Sequence, residues 1–175
     1  MPTKRPARSY REAPNKPYTR HEYVKSVPES QLRILTYGKG DRVYEYRISL
    51  ISGQKGMILS RCLEACRTAV NRYLERNLKE SPYFWRFRTF PHHIVRERRF
   101  LGVAGADRIQ SGMRLSFGNP VDRGAIIHLN QPILELWVNS ENLVQAKEAV
   151  RRGRAKIGLE TRVEIEEVNA KPQES

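Results

Sequence analysis

Arginines surround a glycine-rich stretch between Pro91 and Pro120, where few residues could build a core. Arginine carries a permanent charge and a planar fork of N–H donors that matches a phosphate group. Glycine removes side-chain bulk, so the backbone can approach another polymer closely. The arginines are Arg96, Arg98, Arg99, Arg108 and Arg114, and the glycines are Gly102, Gly105 and Gly112. The combination favours contact with nucleic acid, and the alternative is a solvated surface loop.

Catalytic chemistry has weaker support in the same stretch. His92 and His93 are adjacent, so on a strand they point to opposite faces and cannot readily hold one metal ion together. His93 and Glu97 would share a face only if the segment were helical. Asp107, the one acid of the loop, suits pairing with a neighbouring arginine. The sequence contains none of the GxxxxGK[ST], GxGxxG or GxSxG motifs, so we expect neither nucleotide binding nor nucleophilic catalysis.

The two cysteines, Cys62 and Cys66, are four residues apart inside a helical pattern. This spacing places both thiols on one helix face and differs from a CxxC metal or redox motif. We therefore predict buried free thiols, with no metal and no cofactor.

The net charge of +13 on 175 residues exceeds what solubility requires. Such an excess favours polyanions, with nucleic acid first and acidic membrane surfaces second. The sequence has no run of about 18 apolar residues and no apolar stretch at its start that would act as a secretory signal. We expect a soluble, cytoplasmic protein of one domain that acts without a membrane.

Hydrophobic periodicity predicts the main elements. Alternation in the segment 43–51 predicts a strand with Tyr44, Tyr46, Ile48 and Leu50 on one face. Spacings of three and four between Ile58 and Leu78 predict an amphipathic helix. A strand from Tyr83 to Phe90 should turn its arginines outwards. Further strands are predicted at 114–117, 125–129, 133–138 and 161–168, with a second helix from an N-cap at Ser140 to Gly153 or Gly158.

These elements predict an α+β fold, a two-layer sandwich in which two amphipathic helices pack on a largely antiparallel sheet. Residues 1–31 contain five prolines and seven lysines or arginines against three acids. We interpret them as an extended basic arm that a partner orders, the alternative being a disordered tail. We predict that residues 32–168 form a single domain that binds nucleic acid and contains the loop 102–114, and that residues 169–175 form a polar tail.

Five ordered motifs give the chain a resemblance to a known family. They are RPARSYR at Arg5 to Arg11, KPYTRHEY at Lys16 to Tyr23, LEACR with NRYLE between Leu63 and Glu75, PHHIVRE at Pro91 to Glu97, and GADRIQSGMRLSFG at Gly105 to Gly118. The chain resembles the universal L-sixteen family of large-subunit ribosomal proteins, in the archaeal and eukaryotic branch called L-ten-e. It departs from the family pattern at Leu59, Ser60 and Arg61, where the family commonly has Arg-His-Asn.

The resemblance implies a structural, non-enzymatic role among rRNA helices beneath the central protuberance and beside the A-site tRNA cleft. The loop 102–114 would reach towards the peptidyl transferase centre and the acceptor ends of A-site and P-site tRNA. Other implied partners are the 5S rRNA region and neighbouring ribosomal proteins. The implied RNA contacts are Arg5, Arg8, Arg11, Lys16, Arg20, Arg96, Arg108 and Arg114, and Arg98 and Arg99 join them on charge alone. Two competing hypotheses are a free RNA-processing enzyme and a stand-alone tRNA or RNA binder.

Overall fold

The computed structural model describes residue 12, residue 24, residues 26–78, 82–97 and 118–170, and residue 172. Two helices and eight strands make up this part of the chain. In chain order they are β1 (Thr36–Gly38), β2 (Tyr44–Ser52), β3 (Gly56–Leu59), α1 (Ser60–Asn77), β4 (Phe84–Phe87), β5 (His93–Glu97), β6 (Asn119–Ile127), β7 (Pro132–Val138), α2 (Leu143–Arg154) and β8 (Thr161–Ala170). No helix in the described ranges is long and apolar enough to cross a membrane.

The strands form two antiparallel sheets. The larger sheet has the order β1-β4-β7-β2-β8 and the smaller has the order β3-β6-β5. The predicted class, an α+β sandwich with antiparallel strands and two amphipathic helices, is confirmed. The separate smaller sheet was not predicted. It arises because the chain leaves the larger sheet twice. It forms β3 of the smaller sheet after β2, returns to the larger sheet at β4, and then forms β5 and β6 of the smaller sheet before β7.

Both helices contribute to the main hydrophobic core. The buried residues of α1 include Leu63, Cys66, Val70 and Leu74, which recur at the spacings that predicted the helix. They share one cluster with Ala146, Ala149 and Val150 of α2 and with apolar residues of β2, β4, β6 and β7. Burial of these side chains is worth about 1.5–3 kcal/mol for each large aliphatic residue, so tertiary packing determines where the helices lie.

Gly153 allows α1 and α2 to pack closely. A Cβ atom at this position would lie 2.6 Å from Cγ2 of Val70 and 3.0 Å from Sγ of Cys66. Real Cβ atoms essentially never approach heavy atoms to less than 3.0 Å, so a side chain at residue 153 would force Val70 or one of the helices to shift. Sequence analysis treated this glycine only as a possible helix end, whereas it lies inside α2 and its backbone faces α1.

The second face of the larger sheet is also packed. Tyr44, Phe84 and Trp137 form a separate buried cluster there. Tyr44 departs from the predicted alternation because the pairing of β2 with β8 shifts register between Tyr44 and Tyr46. The prediction that Arg86 faces outwards is wrong. Its Nε donates to Oε2 of Glu135 over 2.8 Å, and the two side chains are only 14% and 7% exposed.

The predicted N-cap at Ser140 is wrong. Residues Ser140–Asn142 form a 3-10 turn, and α2 begins after it without a side-chain cap. The backbone N–H of Ser140 donates instead to Oε2 of Glu45 over 2.9 Å, which ties the helix entry to β2. The hydrogen bonds of a 3-10 turn satisfy some of the backbone groups at a helix start that a capping side chain would otherwise bind.

Candidate nucleic-acid interface

Strands β5 and β6 frame the predicted glycine-rich loop. They are antiparallel neighbours, and Glu97, the last residue of β5, pairs with Asn119, the first residue of β6. The residues between them therefore leave and re-enter the domain at one end of the smaller sheet. Ile94 and Val95 of β5 are buried, so they are among the few residues of this stretch that contribute to a core. The rigid frame ends where the arginine- and glycine-rich segment begins.

Asp122 of β6 joins the loop-bearing strands to the start of α1. Its Oδ1 accepts a hydrogen bond from the Ser60 hydroxyl over 2.8 Å and another from the backbone N–H of Arg123 over 2.8 Å. The Nε of Arg61 lies 4.0 Å from the other carboxylate oxygen. The carboxylate is mostly buried, so these bonds are shielded from water. They fix the first turn of α1 against the strand that carries the loop.

This arrangement explains the positions where the sequence departs from the family pattern. Leu59 and Ser60 are 2% and 0% exposed, so they form core and hydrogen-bond contacts and have no surface for RNA. Arg61 lies beside Asp122. Sequence analysis did not single out Asp122, and no local pattern marks it, because its partner Ser60 is 62 residues away in sequence.

Replacing Asp122 with alanine should lower the free energy of unfolding by about 1–3 kcal/mol, because the Ser60 hydroxyl and the Arg123 N–H lose their acceptor in a shielded site. Urea denaturation followed by circular dichroism measures this loss. Asp122→Asn keeps one acceptor oxygen and should lose less. Glu160→Ala removes an exposed carboxylate and serves as the control. An equal cost for D122A and E160A would contradict the assigned role.

Arg123 connects β6 to the end of the predicted arm. Its Nε donates to the backbone carbonyl of Pro28 over 2.7 Å. The last residues of the segment 1–31 and the first residues after the loop therefore meet at one strand. The loop therefore joins this part of the smaller sheet through β5 and β6, and the arm joins it through Pro28.

Of the predicted site residues, Arg96 lies in the described part of the chain. It is a partly buried residue of β5, one position before the end of the strand. The remaining predicted contacts and close-approach glycines lie outside the described residues: Arg5, Arg8, Arg11, Lys16, Arg20, Arg98, Arg99, Arg108, Arg114, Gly102, Gly105 and Gly112. Their assignment to RNA stays a prediction.

The sequence profile of the family described as ribosomal protein L16p/L10e matches residues 13–164 of the chain. The chain belongs to this family. It is 40% identical over 170 residues to the large ribosomal subunit protein uL16 of Hyperthermus butylicus, with 94% of each chain covered. The protein of the same name from Thermofilum pendens is 40% identical over 163 residues, covering 93% of this chain and 97% of the relative. The resemblance identified from five motifs is confirmed.

A more distant archaeal relative gives the same assignment. The large ribosomal subunit protein uL16 of Archaeoglobus fulgidus is 37% identical over 163 residues, with 93% of each chain covered. Members of the L16p/L10e family are structural components of the ribosome, so the prediction of a non-enzymatic role is confirmed.

The titratable groups of this L16p/L10e family member fit such a role. Burial, followed by the neighbouring His92, lowers the pKa of His93, so its ring is neutral at pH 7. Burial raises the pKa of the Cys66 thiol to about 12, and burial also raises the pKa of the half-buried Cys62. The prediction of a buried thiol is confirmed for Cys66, and Cys62 is only partly buried. Within the described ranges, no three His, Cys, Asp or Glu side chains are grouped to hold a metal ion.

Proposed function

We propose that this chain is a component of the large subunit of the cytoplasmic ribosome, where it binds rRNA beside the A-site tRNA cleft. In this proposal the loop 102–114 is directed towards the peptidyl transferase centre and contacts A-site and P-site tRNA. The 5S rRNA region and neighbouring ribosomal proteins are the other partners. The catalytic chemistry of peptide transfer belongs to RNA, and this protein supplies charge and position.

The observation that supports this proposal best is the meeting of two basic segments at β6. The loop begins and ends on paired strands, and Arg123 of β6 binds the carbonyl of Pro28 at the end of the arm. Because both segments are anchored at β6, they can contact RNA from two directions. Membership of the L16p/L10e family supports large-subunit rRNA as the polyanion that these two segments bind.

Phosphate contacts should supply most of the affinity. Duplex RNA has a deep, narrow major groove, so proteins recognise it mainly through shape, phosphates and 2′-hydroxyls. If about eight lysines and arginines each neutralise one phosphate, log affinity should fall against log salt with a slope of about 6 to 7, at roughly 0.7–0.9 for each contact. The excess of 13 positive charges is sufficient for this number of contacts.

The loop arginines should affect RNA binding more than folding. The R108A/R114A double variant is expected to lower the salt slope of rRNA binding by about 1.4–1.8, since it removes two phosphate contacts. The melting temperature should stay unchanged because, in this proposal, both arginines contact RNA and neither contributes an apolar side chain to the core. Filter binding at several salt concentrations and thermal melting measure the two quantities. Severe unfolding of the variant would contradict this assignment.

The decisive experiment is sedimentation of the tagged protein with large ribosomal subunits at moderate and then high salt. We expect stoichiometric retention on the subunit at moderate salt. Recovery of the protein at the top of the moderate-salt gradient would overturn the proposed function. It would also return attention to the alternative of an RNA-processing enzyme, for which turnover assays on His92 and His93 variants are the test.

A further inference from the structure

A second basic surface lies between α1 and α2. The two helices enclose an open groove of about 580 Å³. Its lining includes no carboxylate and consists of Ala69, Arg72, Tyr73, Arg76, Arg151, Arg152, Ala155 and Lys156. All five of its basic residues are exposed, so a large ligand can reach them. The groove is formed by elements other than those that carry the arm and the loop.

Helix electrostatics alone do not account for this charge. The groove lies near the C-terminal ends of both helices, and each end carries roughly half a negative charge from the macrodipole. Glu148 adds one full negative charge, because side-chain hydrogen bonds from Arg151 and then Arg152 lower its pKa to about 2. These charges together offset about two of the five cations. A clear positive excess remains on the groove walls.

The walls are held in position before any ligand binds. The guanidinium of Arg152 stacks over the ring of Tyr73 at 4.3 Å from its centroid, which joins α2 to α1. Its Nε also donates to Glu148 over 2.8 Å, and this bond uses one of the five N–H donors of an arginine. Gly153, directly after Arg152, brings the two helices close together. A preorganised arginine loses less conformational entropy when it binds a phosphate.

We propose that this groove binds the phosphate backbone of a helical rRNA segment, as an RNA site separate from the arm and the loop. The proposal rests on the ribosomal function given above. Several cations from two helices, in a groove whose lining contains no carboxylate, complement a row of phosphates better than a single anion. Such a site positions the domain on RNA without reading sequence, because it contacts phosphates and not base edges.

The test compares two variants that remove the same charge. R72Q/R76Q removes two cations from the groove, and R42Q/R162Q removes two exposed cations elsewhere. Binding to protein-free large-subunit rRNA is measured across a range of salt concentrations. We expect the groove variant to lower the magnitude of the salt slope by about 1.4–1.8, the value for two phosphate contacts, and the control to leave the slope near that of the unmodified protein. Thermal melting should give equal midpoints for all three proteins.

A second groove variant, R72Q/K156Q, changes one residue on each wall and keeps the test valid if R72Q/R76Q folds poorly. Equal slopes for the groove and control variants would overturn the groove proposal while the unmodified protein still binds rRNA. Failure of the unmodified protein to bind rRNA would instead overturn the proposed function. If the rRNA slope is unchanged but the groove variant is lost from intact subunits, the partner is an acidic protein and the RNA proposal is wrong.

Discussion

Replacing Trp85 with alanine is expected to lower the free energy of unfolding by about 3–5 kcal/mol, as for other large aromatic residues removed from a core. Trp85 is 1% exposed and lies in the main core cluster. Its ring contacts Phe87 edge-on at 5.8 Å and stacks with Tyr37 at 5.9 Å. Its indole N–H donates to Oδ1 of Asn71 over 3.2 Å, so the side chain also joins β4 to α1. Urea denaturation at equilibrium measures the loss.

Trp85→Phe is the matched control because it keeps an aromatic ring in the core and removes the bond to Asn71. Loss of a buried hydrogen bond costs about 1 kcal/mol, and the smaller ring adds a packing cost, so W85F should lose clearly less stability than W85A. Similar stability of W85A and the unmodified protein would show that the site collapses around the missing ring. It would contradict the assignment of Trp85 to the central core.

Replacing Glu135 with alanine should cost about 3 kcal/mol, at the lower end of the range for breaking a buried ion pair. Glu135 is 7% exposed, and its two carboxylate oxygens lie 2.8 Å from Nε of Arg86 and 3.8 Å from Nε of Arg88. Arg86 also lies over the ring of Trp137, 5.0 Å from the centroid. The variant leaves two guanidiniums beside an apolar cluster without this carboxylate. The lower end applies because Arg88 is 36% exposed.

Two further variants test this explanation by urea denaturation. Glu164→Ala breaks the exposed pair with Arg162, for which the expected cost is about 0–1 kcal/mol. The double variant R86M/E135L removes both charges of the shorter pair, and it should regain much of the stability that E135A loses. A double variant as unstable as E135A would show that the loss of stability comes from changed packing and not from removal of the carboxylate beside the charged Arg86.

Sequence patterns predicted elements with a periodic buried face and missed strands that lack one. In α1, the buried residues recur at helical spacing, and this pattern predicted the helix. They include Leu63, Cys66, Val70 and Leu74. β5 has two consecutive buried residues, Ile94 and Val95, so no alternation marks it. β3, of sequence GMIL, is buried at all four positions and runs directly into α1 without a turn residue. Strands of this kind cannot be separated from their surroundings by periodicity.

The candidate RNA surfaces also divide into those that a local sequence pattern predicts and those that only the folded chain reveals. Arginine-rich motifs in the loop and arm are local and were visible in the sequence. The bond from Arg123 to Pro28 spans 95 residues, and only the folded chain reveals it. The basic groove was hidden for a related reason. The cations of α1 and those of α2 lie far apart in sequence, and close packing at Gly153 brings them together.

Because Glu97 pairs with Asn119, the stability of the domain depends little on the length of the segment between them. The strands hold both ends of the intervening segment at a fixed distance, whatever number of residues lies between them. Loop-closure entropy rises only with the logarithm of length, so doubling the segment costs about 0.6 kcal/mol. Evolution can therefore lengthen, shorten or change the sequence of the segment between β5 and β6 in small steps. The strands and core beneath it need no compensating change.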